Sequence, residues 1–190
     1  MLLTHGGEWN LMKHIPFITT AIQDKWSSGY SIENSWGIKH RELNYLRQEP
    51  FNDPIAIKEW SDAGHRYEKY TGVMLDHRDG IPSWALEIGN HFGLQNTGFS
   101  LYKMTTGTIL PTHRDRYVRY KEVYNLDLND VVRVVVFLED WQSGHYCEID
   151  SVPVVNWHAG DCVAWINDVP HMAANIGDAD RYTMQITGTI

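Results

Sequence analysis

The second half of the chain alternates short apolar runs with turn residues at intervals too tight for helices. Val131 to Glu139 reads VVRVVVFLE, a nearly continuous β-branched stretch that predicts a buried strand. Gln142-Ser143-Gly144 marks a turn, and HYCEID and the Pro-containing, edge-like SVPVVNW follow. His158-Ala159-Gly160-Asp161 turns again into DCVAWIND, and Val169-Pro170 breaks the chain just before His171. MAANI, the turn GDAD and the strand RYTMQITGTI complete the sequence, while FSLYKMTTGTILPTHRD upstream is strand-like with Gly107 and Pro111 as punctuation. About seven short strands at this spacing point to a β-sandwich or jelly roll rather than alternating β-α units. His171 then opens one strand and Arg181 the next. Along the last strand Arg181, Thr183, Gln185 and Thr187 share one face, and Tyr182, Met184 and Ile186 share the other. A polar face on a buried strand needs water or a polar ligand beside it.

The first half reads differently. Asn52-Asp53-Pro54 is a helix start, predicting a helix from Pro54 to about Tyr70, and Ser83 to Phe92 reads as a second helix stopped by Gly93. Residues 1–50 read as irregular or mixed, interrupted by Gly6-Gly7, Ser27-Ser28-Gly29 and Gly37. Both helices are expected to pack against one outer face of the jelly roll. The whole predicts a single α+β domain, mainly β, with residues 1–95 as mixed helical support and 96–190 as the jelly-roll core.

Composition narrows the class. The 190 residues carry a net charge of −8, which argues against general nucleic-acid binding. Cys147 and Cys162 stand alone, with no C-x-x-C, and read as buried thiols rather than a disulfide framework or zinc site. The start MLLTHGGEWNLMKH has no basic region and no sustained apolar stretch, so no membrane association and a cytoplasmic location are the expectation.

Candidate chemistry lies in His113 and Asp115, an H-x-D pair. In an extended strand, residues i and i+2 point the same way with Cα atoms roughly 7 Å apart, so an imidazole and a carboxylate can converge on one ion. A second copy, His77-Arg78-Asp79, lies among turn residues and reads as a solvated loop. Both copies read His-Arg-Asp, yet the Asn that a kinase catalytic loop needs is replaced by Trp84 and Tyr120. Two histidines and a carboxylate (His113, Asp115, His171) form the ligand set that holds mononuclear non-haem Fe(II) by one face. Arg181 behind the last histidine suits an anionic cosubstrate, against the plainer reading of a surface arginine paired with Asp178 or Asp180.

Together, P-T-H113-R-D115, R133-VVVFL, W157-H-A-G-D161, W165-I-N-D-V-P-H171 and N-I-G-D-A-D-R181-Y-T resemble the double-stranded β-helix, cupin-like core of the Fe(II)/2-oxoglutarate-dependent dioxygenases. The rhythm is most similar to the aspartyl/asparaginyl β-hydroxylase and prolyl-hydroxylase-like branches, including small bacterial and phage members. Departures mark its edges. Nucleic-acid demethylases carry a second arginine where this chain has Thr187, halogenating members lack the carboxylate supplied by Asp115, and collagen-type prolyl hydroxylases use Lys in place of Arg181. The resemblance implies Fe(II) on His113, Asp115 and His171, with 2-oxoglutarate and O2 in the open positions. Arg181 would pair with the distal carboxylate of 2-oxoglutarate, and Thr183 and Tyr102 would donate to it. The implied product is a hydroxylated amino acid or protein side chain, with succinate and CO2 released.

Other residues are open at this level. Arg133 lies inside an apolar strand and either faces the pocket to bind a substrate or cosubstrate carboxylate, or ends in solvent. The basic run HRDRYVRYK reads as a solvated strand face, against a positive patch that attracts an anionic substrate; Trp165 reads as packing, and Tyr117 to Asp130 as a loop bordering the site. Two other readings stand beside the dioxygenase: a metal-dependent cupin enzyme that does not use 2-oxoglutarate, and a non-catalytic jelly-roll binding module.

Overall fold

Antiparallel strands dominate because the β-branched runs of the second half pair with one another within two sheets. The computed structural model describes residues 12–14, 41–44, 54–65, 69–75, 83–126, 131–166 and 169–190. Its strands are β1 (Met12–His14), β2 (Arg41–Asn44), β3 (Lys69–Leu75), β4 (Gln95–Met104), β5 (Thr108–His113), β6 (Val131–Phe137), β7 (His145–Ile149), β8 (Val152–Val154), β9 (Asp161–Ile166), β10 (His171–Asn175) and β11 (Arg181–Thr189). Helices α1 (Pro54–Asp62), α2 (Ser83–His91) and α3 (Val118–Tyr124) accompany them. A seven-stranded sheet runs β1-β9-β6-β11-β4-β3-β2, and a four-stranded sheet runs β5-β10-β7-β8. From β4 onward the chain crosses repeatedly between the two sheets, which makes the jelly-roll core that the strand rhythm predicts.

Period-2 alternation divides the larger sheet into two faces. On the outer one, Phe99, Leu101, Val132, Val134, Val136, Met184 and Ile186 form a buried cluster with Ile88 of α2 and Leu94. On the inner one, Val135, Phe137, Val163 and Trp165 meet Cys147 and Ile149 of β7 and Val154 of β8. Cys147 and Cys162 are both buried free thiols, on opposite sides of that sheet. The inner face also carries the alternate residues Arg181, Thr183, Gln185 and Thr187, so polar groups sit between the sheets while the outer face supplies much of the apolar burial.

Several expectations need correcting. The helix from Pro54 ends at Asp62, and Lys69–Leu75, which includes Tyr70, is strand. Gly64 is the reason: at φ +82° it takes a left-handed turn, and the amides of Gly64 and His65 close onto the carbonyls of Ser61 and Trp60. The first 50 residues supply two strands, β1 beside β9 and β2 beside β3. Of the two expected helices, α2 covers the outer face; α1 instead reaches β5, where Trp60 Nε1 donates to the Thr112 carbonyl at 3.1 Å. HRDRYVRYK is not a strand face, because β5 stops at His113, Tyr117 is left-handed at φ 50°, and α3 follows. His77 and Asp79 lie outside the described residues. No helix among the described residues is long and apolar enough to cross a membrane.

The turn that launches β11 is fixed from several directions. Asn175, fully buried, donates through Nδ2 to the carbonyls of Met104 and Ala179, both at 2.8 Å, and accepts from Gly177 N at 3.1 Å. A Cβ on Gly144 would stand 2.3 Å from Gly177 N, so the two loops touch backbone to backbone. Replacing Asn175 by Ala takes a donor from the Met104 and Ala179 carbonyls, of which the second still meets His145 Nε2 at 3.1 Å, and takes the acceptor from the Gly177 amide. Asn175→Ala is expected to lower unfolding stability by about 3 kcal/mol, measured by urea denaturation.

Candidate metal centre

Strands β5 and β10 are neighbours, and their register sets His171 directly opposite His113. The ladder shifts register between His171 and Ala173, a bulge of the kind that re-aims side chains beside functional sites. The two imidazole centroids lie 4.2 Å apart. Each ring is locked by the same local device. His113 Nδ1 meets the Pro111 carbonyl at 2.8 Å, and His171 Nδ1 meets the Val169 carbonyl at 2.9 Å. A carbonyl only accepts, so both Nδ1 atoms carry the hydrogen and both Nε2 atoms present a lone pair. That is the tautomer a metal ligand requires.

Asp115, just past the end of β5, completes the group. His113 Nε2 lies 3.7 Å from Asp115 Oδ1, and His171 Nε2 lies 3.8 Å from Oδ2. One ligand atom from each residue falls within 4.8 Å of the others. An ion making contacts of about 2.0–2.2 Å spans up to about 4.4 Å between two atoms, which takes in the 3.7 and 3.8 Å spacings. Two neutral imidazoles and a carboxylate fit a divalent transition metal, and the set approaches from one side.

Other side chains buttress each member of the group. Trp60 packs edge-on against His113 at 5.2 Å between centroids, and Trp165 lies 4.7 Å from His171. Trp165 therefore packs, as its sequence suggests, but against His171 of this group. Arg133 faces the interior and places Nη2 2.9 Å from Asp115 Oδ2. The acid it meets is thus Asp115, where the sequence left open a substrate or cosubstrate carboxylate. Tyr117 is buried with its ring beneath that guanidinium, 5.3 Å from centroid to carbon. Sequence patterns offered no sign of Trp60; Tyr117 entered them only as the start of a loop bordering the site, a stretch in which Val118–Tyr124 is helix instead.

Electrostatics follow from this packing. Burial is the largest influence on His113, and with the neighbouring His171 it lowers the imidazole to about 4. Burial alone would raise Asp115, but the Arg133 guanidinium and the two histidines outweigh it and hold the carboxyl at about 2. Burial likewise pushes the Tyr117 phenol well above its ordinary value. Near neutral pH the group is thus one carboxylate and an uncharged His113, ready to ligate.

Farther along the inner face lies Arg181, only 3 % exposed. Its guanidinium sits 5.7 Å from the Phe137 ring and 5.4 Å from the Trp157 ring, with Nη1 3.8 Å from Met104 Sδ. Nε is buried without a hydrogen-bond partner, and no carboxylate pairs with Arg181 among the described residues. The surface pairing with Asp178 or Asp180 is therefore absent. Thr183, opposite Tyr102 and Phe137, shares the inner face, and both Thr183 and Tyr102 are buried. An interior cation lacking an acid is a costly arrangement, and an anionic ligand would relieve it.

No family model and no curated protein matches the chain. Among solved structures, a prolyl-4-hydroxylase from Pseudomonas putida is similar over 94 % of this chain and 90 % of its own, at 17 % identity and a TM-score of 0.56. The likeness establishes the fold. A cupin-superfamily sugar phosphate isomerase from Silicibacter pomeroyi covers 82 % of this chain and 74 % of its own, at 14 % identity and a TM-score of 0.44. A predicted oxalate decarboxylase from Thermotoga maritima covers 64 % of this chain and 82 % of its own, at 13 % identity and a TM-score of 0.40. The two-sheet topology and the first of these likenesses give a jelly-roll architecture.

The shifted groups make acid stability a readout of the site. His113 is lowered from 6.5 in the unfolded chain to about 4, so its contribution is full above pH 6.5 and is lost as pH falls toward 4. Asp115 moves from 3.8 to about 2, so its share is lost lower, between pH 3.8 and 2. Metal-free protein should therefore lose up to about 3 kcal/mol between pH 6.5 and 4 through His113. Chemical denaturation across pH tests this, and His113→Gln should flatten that window while leaving the lower one.

Proposed function

We propose that the protein is an Fe(II)- and 2-oxoglutarate-dependent dioxygenase that hydroxylates an amino acid or a protein side chain. The observation that carries this reading is the joint presence of two elements in the space between the two sheets. One is a His-Asp-His group with both Nε2 lone pairs freed; the other is Arg181, a buried guanidinium without an acid partner among the described residues.

His113, Asp115 and His171 would hold the iron from one side. When bound, Fe(II) together with 2-oxoglutarate and O2 supplies the oxidising chemistry for an unactivated C–H bond, releasing succinate and CO2. Arg181 binds the distal carboxylate of 2-oxoglutarate through its planar fork, which suits a carboxylate better than the ammonium of lysine. Thr183 and Tyr102 stand on the same face to donate further hydrogen bonds. Phe137 and Trp157 wall the guanidinium and keep water from it, so its charge is felt in a low-dielectric setting. Trp60 and Trp165 hold the imidazole rings from turning. The reading puts the work in the cytoplasm, on an amino-acid or polypeptide substrate, without nucleic acid or membrane.

The competing readings separate cleanly. A metal-dependent cupin enzyme that does not use 2-oxoglutarate would keep the metal group but have no use for Arg181. A jelly-roll binding module would need neither. Anaerobic addition of Fe(II) and then 2-oxoglutarate should produce a weak visible charge-transfer band from the chelate. His171→Ala should abolish the band, and Arg181→Ala should weaken 2-oxoglutarate binding about a hundredfold. Iron binding without a band would favour the other cupin enzyme, and no iron binding at all would favour the binding module.

A further inference from the structure

Arg133 interrupts the apolar run VVRVVVF, and a cation there needs a reason. Alternation along β6 turns its side chain to the inner face with Val135 and Phe137. There both ends of the guanidinium fork are used. Nη2 lies 2.9 Å from Asp115 Oδ2, and Nη1 donates to Gln185 Oε1 at 2.6 Å. Tyr117 lies against its face, and Trp165 is its cross-strand partner on β9. A planar cation anchored on three sides has little freedom, and so fixes the carboxylate it touches.

We infer that Arg133 is a positioning residue that restricts Asp115 to a single donor oxygen toward the metal. A carboxylate can ligate through one oxygen or both. Oδ1 lies 3.7 Å from His113 Nε2 and Oδ2 lies 3.8 Å from His171 Nε2, so both oxygens face the group; Oδ2 is the one engaged by Arg133, which leaves Oδ1 for the ion. The difference matters for the count of open positions. Two imidazoles and one oxygen leave three sites on a six-coordinate ion: two for a chelating cosubstrate and one for O2. A two-oxygen Asp115 would close one of these. The guanidinium also places a positive charge beside the metal position, which tempers affinity for a divalent cation. This inference rests on the oxygenase reading for its purpose, but its geometry concerns any divalent ion held by the group.

The test uses Co(II), with crystal structures and affinity by competition with a chelator, so no turnover is required. In the wild-type protein one Asp115 oxygen should be within bonding distance of cobalt. In Arg133→Met both oxygens should be, with Co(II) bound about tenfold more tightly. Arg133→Lys, which keeps the charge on Oδ2, should restore the single-oxygen geometry. Should Arg133→Met fail to fold, Gln185→Leu removes the far anchor and should shift Asp115 the same way, with a smaller gain in affinity. Unchanged single-oxygen ligation and unchanged or weaker affinity in the variants that fold would overturn the inference while leaving the oxygenase reading intact. Failure of the wild-type protein to bind Co(II) at all would overturn both.

Discussion

The register between β5 and β10 is the constraint on which the rest depends. It sets His113 opposite His171, and a slip of one residue would send one of the two imidazoles out of the interior. The register is held mainly by backbone, through the paired ladder and the bulge that follows. Pro111 and Val169 then fix each ring by the carbonyl two residues upstream. Local backbone thus chooses the tautomer, and tertiary pairing chooses the distance. Neither alone makes a ligand pair.

The two faces of the larger sheet share the remaining demands. Its outer face buries Phe99, Leu101, Val134, Val136, Met184 and Ile186 against α2 and the adjoining chain, which gives the domain a core away from the site. The inner face is then able to carry Arg133, Arg181, Thr183 and Gln185 among its aromatics. Charges there are expensive to bury. Asp115 offsets the charge of Arg133 within the protein itself. Arg181 instead has rings, a thioether and a thiol against it, and acts on Glu139 without pairing with it. That contrast separates the arginine that positions a protein group from the one that suits an external anion.

Much of this is legible in the sequence, because period-2 alternation and turn residues are local signals. The strands from Val131 onward, the inward face of β11, and the places of His171 and Arg181 at strand starts all follow from such patterns, whereas His113 ends β5 in a run that reads as continuing strand. What escapes is either long-range or conformational. Trp60 meets the Thr112 carbonyl from 52 residues away, and no spacing rule connects them. The partner of Arg133 depends on how far Asp115 extends past the end of β5. Tyr117 reaches the site through a left-handed backbone that a tyrosine rarely adopts. The end of α1 does have a local signal, since a glycine such as Gly64 past an apolar helical run is a stop. Strands β1 and β2 are short and find their partners far along the chain, so nothing local announces them.

Everything in the site turns on His113, Asp115 and His171 binding one divalent metal. The most direct measurement is anomalous diffraction at the iron edge on crystals grown anaerobically with Fe(II). One strong peak is expected about 2.2 Å from both Nε2 atoms and from an Asp115 oxygen. Iron bound elsewhere, or no peak beside these three residues, would contradict it.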